Sequence, residues 1–108
     1  MKINILGRIW NFKRVRPSDL KGYEGHCDHP DTPNRTIKIP NNVCGKNRLI
    51  VTLHELRHSE MFELASEEYV DKVTKDLGEA LWKLGLRYPE ELTKKELEKL
   101  LKGFNNEV

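Results

Sequence analysis

The chain contains no long apolar run: no stretch approaches the roughly 18 apolar residues that a membrane-spanning helix requires. The N-terminus lacks the apolar core of a secretory signal. An excess of one charge is missing too. Nineteen Lys and Arg stand against 17 Asp and Glu, and the net charge of +2 is too small to point to nucleic acid. The basic run Lys13-Arg14-Val15-Arg16 reads as a solvated strand end. Aromatic residues make up 7% of the chain and are scattered, which excludes a stacking platform for bases. Cysteine occurs only as Cys27 and Cys44, and in a reducing compartment both stay thiols. Internal repeats and low-complexity segments are absent. The expectation is a soluble cytoplasmic protein with no membrane partner.

What remains is 108 residues, 37% hydrophobic and 33% charged, which is one domain's worth with a modest core. A bound ion would add useful stability to a core this small. Residues 2–15 are rich in β-formers (Ile3, Ile5, Ile9, Trp10, Phe12, Val15), and Gly7 interrupts them as a turn or bulge. Residues 22–34, rich in Gly, His, Asp and Pro, read as a loop. Thr36-Ile37-Lys38-Ile39 alternates and stops at Pro40, the pattern of a short edge strand. Strands therefore occupy about 2–40.

Asn47 can cap a helix over about 48–62, whose Leu49, Ile50, Val51, Leu53 and Leu56 cover most of its circumference, as in a buried helix. Ser66-Glu67-Glu68 opens a second helix, about 66–84, with acids where they oppose the dipole, and Gly85 closes it. Thr93-Lys94-Lys95-Glu96 forms a capping box for a third, about 93–103, with Leu97, Leu100 and Leu101 on one face. Strands first and helices after indicate an α+β fold. The expected architecture is a small antiparallel sheet packed on two to three helices, one domain over 1–108. Trp10, Trp82 and Phe104 read as core or edge-of-core residues.

Chemistry is concentrated in His54-Glu55-Leu56-Arg57-His58. Histidines four apart on a helix project from one face and can share one ion. Glu55 then lies beside the open coordination position, where it can take a proton from a metal-activated water and pass it to a leaving amine. This is the H-E-x-x-H pattern of zinc peptidases, and Zn2+ suits imidazole and carboxylate ligands. The motif follows an apolar run, and buried His and Glu side chains without a partner would be costly.

A catalytic zinc takes a third protein ligand. No histidine follows His58, and Met61 and Leu64 stand where a longer three-histidine motif would need Gly and His. The third ligand is therefore expected to be a carboxylate of the next helix, or else a residue of the loop before the motif. Val70, Val73, Leu77, Leu81 and Leu84 define that helix's inner stripe. At 100° per residue Glu67 lies about 70° from its centre and Glu68 about 170° away. Glu67 is the preferred ligand over Glu68, with Glu63 and Asp71 as weaker candidates.

The segments Leu53–His58 and Ser66–Val73 resemble the minimal gluzincin peptidases, including small phage-encoded metallopeptidases and, more distantly, the ImmA/IrrE-like and SprT-like peptidases. Glu67-x-x-Val70-x-x-Val73 is similar to the ligand helix of the ImmA/IrrE-like proteins. Gly22–Asp28 followed by Ile37–Ile39 is similar to the loop and strand that precede the active-site helix in the small phage members. The resemblance spans roughly residues 2 to 86 and implies a minimal zincin-like domain. It also implies zinc on His54, His58 and Glu67, Glu55 as general base, and an extended peptide substrate paired with the strand Thr36–Ile39. Tyr23, Tyr69, His26 and His29 are unranked candidates to stabilise an oxyanion.

His26, Cys27, Asp28 and His29, with Cys44, could form a second metal site, but adjacent residues point in different directions; a turn-rich loop is the simpler reading. A cysteine nucleophile at Cys27 lacks an identifiable base and orienting partner. Two rivals to the peptidase stand: a zinc-stabilised binding or regulatory module that does not cleave, and a metal-free interaction domain. Glu55 separates the first of these from the enzyme, because a non-catalytic module has no use for a general base.

Overall fold

Leu6 and Gly7, both at positive φ (51° and 80°), reverse the chain between β1 (Lys2–Ile5) and β2 (Arg8–Val15). Two successive left-handed residues are what a two-residue type I′ hairpin demands. The Asn4 side chain secures the turn by accepting the Gly7 amide at 2.9 Å. Leu6 carries a Cβ in this conformation and is exposed, so it stores strain that Asn would relieve. Leu6→Asn is expected to stabilise the fold by about 0.5–1 kcal/mol, read as a higher denaturant midpoint at unchanged slope. An unchanged or lower midpoint would contradict the turn assignment.

A computed structural model of the chain describes residues 1–106, the side chains of Leu100 and of residues 103–106 excepted; the expected roles of Leu100 and Phe104 fall outside the described residues. Beyond the hairpin come a 3-10 turn (Pro17–Leu20), β3 (His26–Cys27), β4 (Thr36–Pro40), α1 (Gly45–Met61), α2 (Glu67–Lys83), a second 3-10 turn (Pro89–Glu91) and α3 (Lys94–Asn106). The class is α+β. The four strands lie in the order β1-β2-β4-β3.

Two expectations about the sheet are corrected. The sheet is mixed rather than antiparallel, because β4 runs parallel to β2, from Asn11 opposite Thr36 to Val15 opposite Pro40. Residues 16–35 form a crossover long enough to bring the chain back in the same direction. Thr36–Ile39 is also not an edge strand. The loop after Gly25 folds back so that His26 and Cys27 pair with Lys38 and Ile37. Asp28 locks it there: its amide donates to the Thr36 carbonyl (3.1 Å) and its carboxylate accepts the Thr36 amide (2.9 Å). The outer strand is β3.

The core is Trp10, Leu20, Ile37, Ile39, Leu49 and Val70; β3 and β4 pack on α1, which packs in turn on α2. Helix α1 begins earlier than expected, at Gly45 with Cys44 rather than Asn47 as its N-cap, and no side chain near in sequence caps it. The anion comes from far along the chain. The Glu91 carboxylate accepts the Gly45 amide at 2.5 Å and pairs with the buried Arg48 at 2.8 Å. An acid at a helix N-terminus is stabilised by the exposed amides, and the Gly45 amide and then Arg48 hold Glu91 below the usual carboxylate range.

Helix α2 begins where Ser66 accepts the Tyr69 amide (3.1 Å) and ends before Gly85 at φ 97°. Its inner stripe is rotated from the expected one. The buried positions are Val70, Thr74 and Gly78, whereas Leu77 and Leu84 are exposed. The small residues let α1 approach closely: a Cβ at Gly78 would collide with Ile50. No helix among the described residues is long and apolar enough to cross a membrane.

Candidate metal centre

Helix α1 carries His54 and His58 on the face turned toward the start of α2, and α2 delivers Glu67 in its first turn. The eight residues between His58 and Glu67 suffice because Glu63, at φ 65°, stops α1 sharply. The two imidazole Nε2 atoms are 3.0 Å apart. The Glu67 carboxylate spans them, with Oε1 at 2.8 Å from His54 Nε2 and Oε2 at 2.8 Å from His58 Nε2. Among the described residues this is the one group of three His, Cys, Asp or Glu side chains whose ligand atoms converge.

The donor set fits zinc. Tetrahedral coordination at 2.0–2.1 Å separates neighbouring ligand atoms by about 3.3 Å, close to what these three side chains adopt unaided. The tautomer fits as well. Asp71, one turn after Glu67, places Oδ1 3.1 Å from His54 Nδ1. An Nδ1–H donated to Asp71 leaves a lone pair on Nε2, facing the Glu67 oxygen and the second imidazole. A zinc ion among these atoms would be met by both imidazole lone pairs and the carboxylate.

Asp71, weighed from the sequence as a ligand, thus takes a different place: it orients His54 from behind. Asp71→Ala is expected to weaken zinc binding by about 10- to 100-fold without abolishing it. Competition against a chromophoric chelator measures this, and an unchanged affinity would remove the orienting role. Glu68 is exposed and outside the converging group, and Glu63 lies 3.6 Å from His29 Nε2 instead.

Glu55 is the buried carboxylate of the site, 6% exposed. Its Oε1 stands 4.0 Å from His54 Nε2, beside the converging atoms rather than among them. Burial, and then the negative charge of Glu67, push its pKa up to about 7. A carboxylate tuned to neutrality can both accept and release a proton. The space it occupies exists because residue 25 is glycine. A Cβ there would lie 2.9 Å from Glu55 Cγ and 3.0 Å from Oε1. Sequence reasoning missed this role of Gly25; the only signal is a glycine in a loop already rich in turn formers.

Two hollows adjoin the centre, of about 340 and about 590 Å3, and both are lined by Tyr23, Gly25, His54, Glu55 and Glu67. Of the four candidate oxyanion donors, Tyr23 borders both hollows and His26 borders the larger, where its Nε2 is 2.7 Å from Asp28. Tyr69 borders neither, and the His29 ring packs edge-on against Phe62, centroids 4.8 Å apart. The second metal site that the sequence allowed but did not favour is not assembled among the described residues: neither Cys27 nor Cys44 joins a converging group, and both are free thiols. Burial first, then Glu55 and Asp28, push the Cys27 thiol up to about 12, which leaves it protonated and unsuited to be a nucleophile. No protein-family model, curated protein or solved structure matches the chain.

Proposed function

We propose that the protein is a zinc-dependent peptidase of minimal gluzincin type, with His54, His58 and Glu67 as metal ligands and Glu55 as general base. The observation that carries the reading is the pairing of two features in one place. One ligand atom from each of His54, His58 and Glu67 lies within 4.8 Å of the others, and beside them stands a buried carboxylate, Glu55, that opens on both hollows. A purely structural zinc is enclosed by four protein ligands, whereas this group supplies three and borders open space.

Zinc bound there would polarise the scissile carbonyl and acidify a water. The chain's own residues do the rest. His54 is held in the Nε2-ligating tautomer by Asp71. Glu55 takes the proton of the attacking water and returns it to the departing amine. Gly25 keeps the approach to that carboxylate clear. An extended substrate would align on the free edge of β3, whose His26 and Cys27 border the larger hollow; backbone pairing would supply affinity independent of sequence.

The test is hydrolysis of a mixed peptide library by zinc-loaded protein, analysed by mass spectrometry. Defined cleavage that a chelator stops and added zinc restores is the expected result. Zinc bound at full occupancy with no peptide cleaved would replace this reading by the non-catalytic zinc module.

A further inference from the structure

The two hollows beside the metal centre share an electrostatic character unlike that of the chain as a whole. The chain carries 19 Lys and Arg, yet none of them lines either hollow among the described residues. Carboxylates do. Besides Glu55 and Glu67, the smaller hollow is bordered by Glu24 and Asp71 and the larger by Glu63. Some of this charge is committed: Glu67 to the imidazoles, Asp71 to His54 Nδ1, and Glu63 to His29. Glu24 is exposed at the rim and has no ion-pair partner among the described residues. Next to it the wall is apolar, made by Ile50 and Val51 of α1. The Glu55 carboxylate, more than nine-tenths buried, faces into the same space.

An apolar wall ending at a free carboxylate matches one kind of side chain. A lysine or arginine lays its alkyl stem on apolar surface and keeps its charged head at the polar end. Away from the metal centre itself, an anionic ligand meets no cationic side chain in the smaller hollow, and a neutral aliphatic side chain gains the wall but not the carboxylate. We infer that the cleft takes peptide segments bearing lysine or arginine, with the basic side chain in the smaller hollow, its stem on Ile50 and Val51 and its head at Glu24. This rests on the peptidase reading for the place of the backbone; the selectivity can be measured without turnover.

The experiment uses the zinc-loaded Glu55→Gln protein and short fluorescent alanine-based peptides. Lysine, norleucine or glutamate is placed at each position in turn, and binding is followed by anisotropy. At the best position lysine is expected to bind about fivefold more tightly than norleucine, the scale of one partly exposed charge pair. At that same position glutamate should bind more weakly than norleucine, and the lysine preference should shrink at high salt. Adding Glu24→Gln should bring the lysine-to-norleucine ratio close to one while zinc stays bound. Equal binding of lysine and norleucine peptides, a ratio that Glu24→Gln leaves unchanged, or no binding of any peptide would overturn the inference. The lysine preference, with no cleavage of these peptides by the zinc-loaded wild type, would uphold the basic ligand and overturn the peptidase.

Discussion

Replacing Glu67 by alanine is expected to lower zinc affinity by about a thousandfold, whereas replacing Glu68 is expected to leave it nearly unchanged. Loss of a residue that only orients a ligand costs about 10- to 100-fold; loss of one of three direct ligands costs more. The two glutamates are neighbours in the first turn of α2, equal in composition and in their effect on the helix dipole. They differ in direction. Glu67 shares the side of the helix that carries Val70 and Thr74 and reaches both imidazoles at 2.8 Å, while Glu68 points into solvent. The comparison therefore isolates ligation from helix stability. Competitive titration against a zinc chelator measures it, and equal affinities in the two variants would refute the assignment.

Glu55→Gln is expected to keep the zinc and to lose about 10²- to 10⁴-fold in peptide hydrolysis, the range for removing a general acid–base group. The same variant has a second signature that needs no substrate. In the zinc-free protein the carboxyl holds its proton up to about pH 7, against an ordinary value of 4.5. The folded state thus binds the proton more tightly than the unfolded chain does. Stability contributed by this group is full below about 4.5, declines as pH rises to about 7, and is lost above that. Glutamine carries no charge to desolvate. Zinc-free Glu55→Gln is therefore expected to be more stable than wild type at pH 8, by on the order of 2 kcal/mol, with the gain shrinking toward pH 4.5. Denaturant titrations at the two pH values decide it. A loss of stability at pH 8 would mean that the carboxylate is satisfied in the fold and not held in reserve for chemistry.

The local devices were readable from the chain. Ser66 and Gly85 bracket α2, Gly7 marks the hairpin, and the four-residue spacing of His54 and His58 places both rings on one face of α1. The choice of Glu67 followed from helical phase, even though the stripe used to set that phase was wrong in detail. Leu77 and Leu84 suggested the inner face, but the buried positions include Thr74 and Gly78, and Gly78 leaves the room that Ile50 of α1 fills. Hydrophobicity alone ranks Leu above Gly and cannot see that close approach favours the smaller residue. The resulting rotation turns Asp71 from the flank of the helix toward His54. What escaped entirely depends on residues far apart in sequence. The start of α1 is fixed by Glu91, 46 positions from Gly45. The parallel pairing of β2 with β4 and the covering of β4 by β3 depend on the path of the crossover and on Asp28, and neither leaves a periodic signal. Gly25 gives way to Glu55 across 30 positions, and a lone sequence does not distinguish it from a turn glycine.

The most direct test of the account is the zinc content of untagged protein by mass spectrometry, wild type beside His58→Ala. About one zinc per chain in the wild type, lost in the variant, is the predicted result. Zinc absent from both after it has been supplied, or retained equally by both, would contradict the metal centre and every role assigned around it.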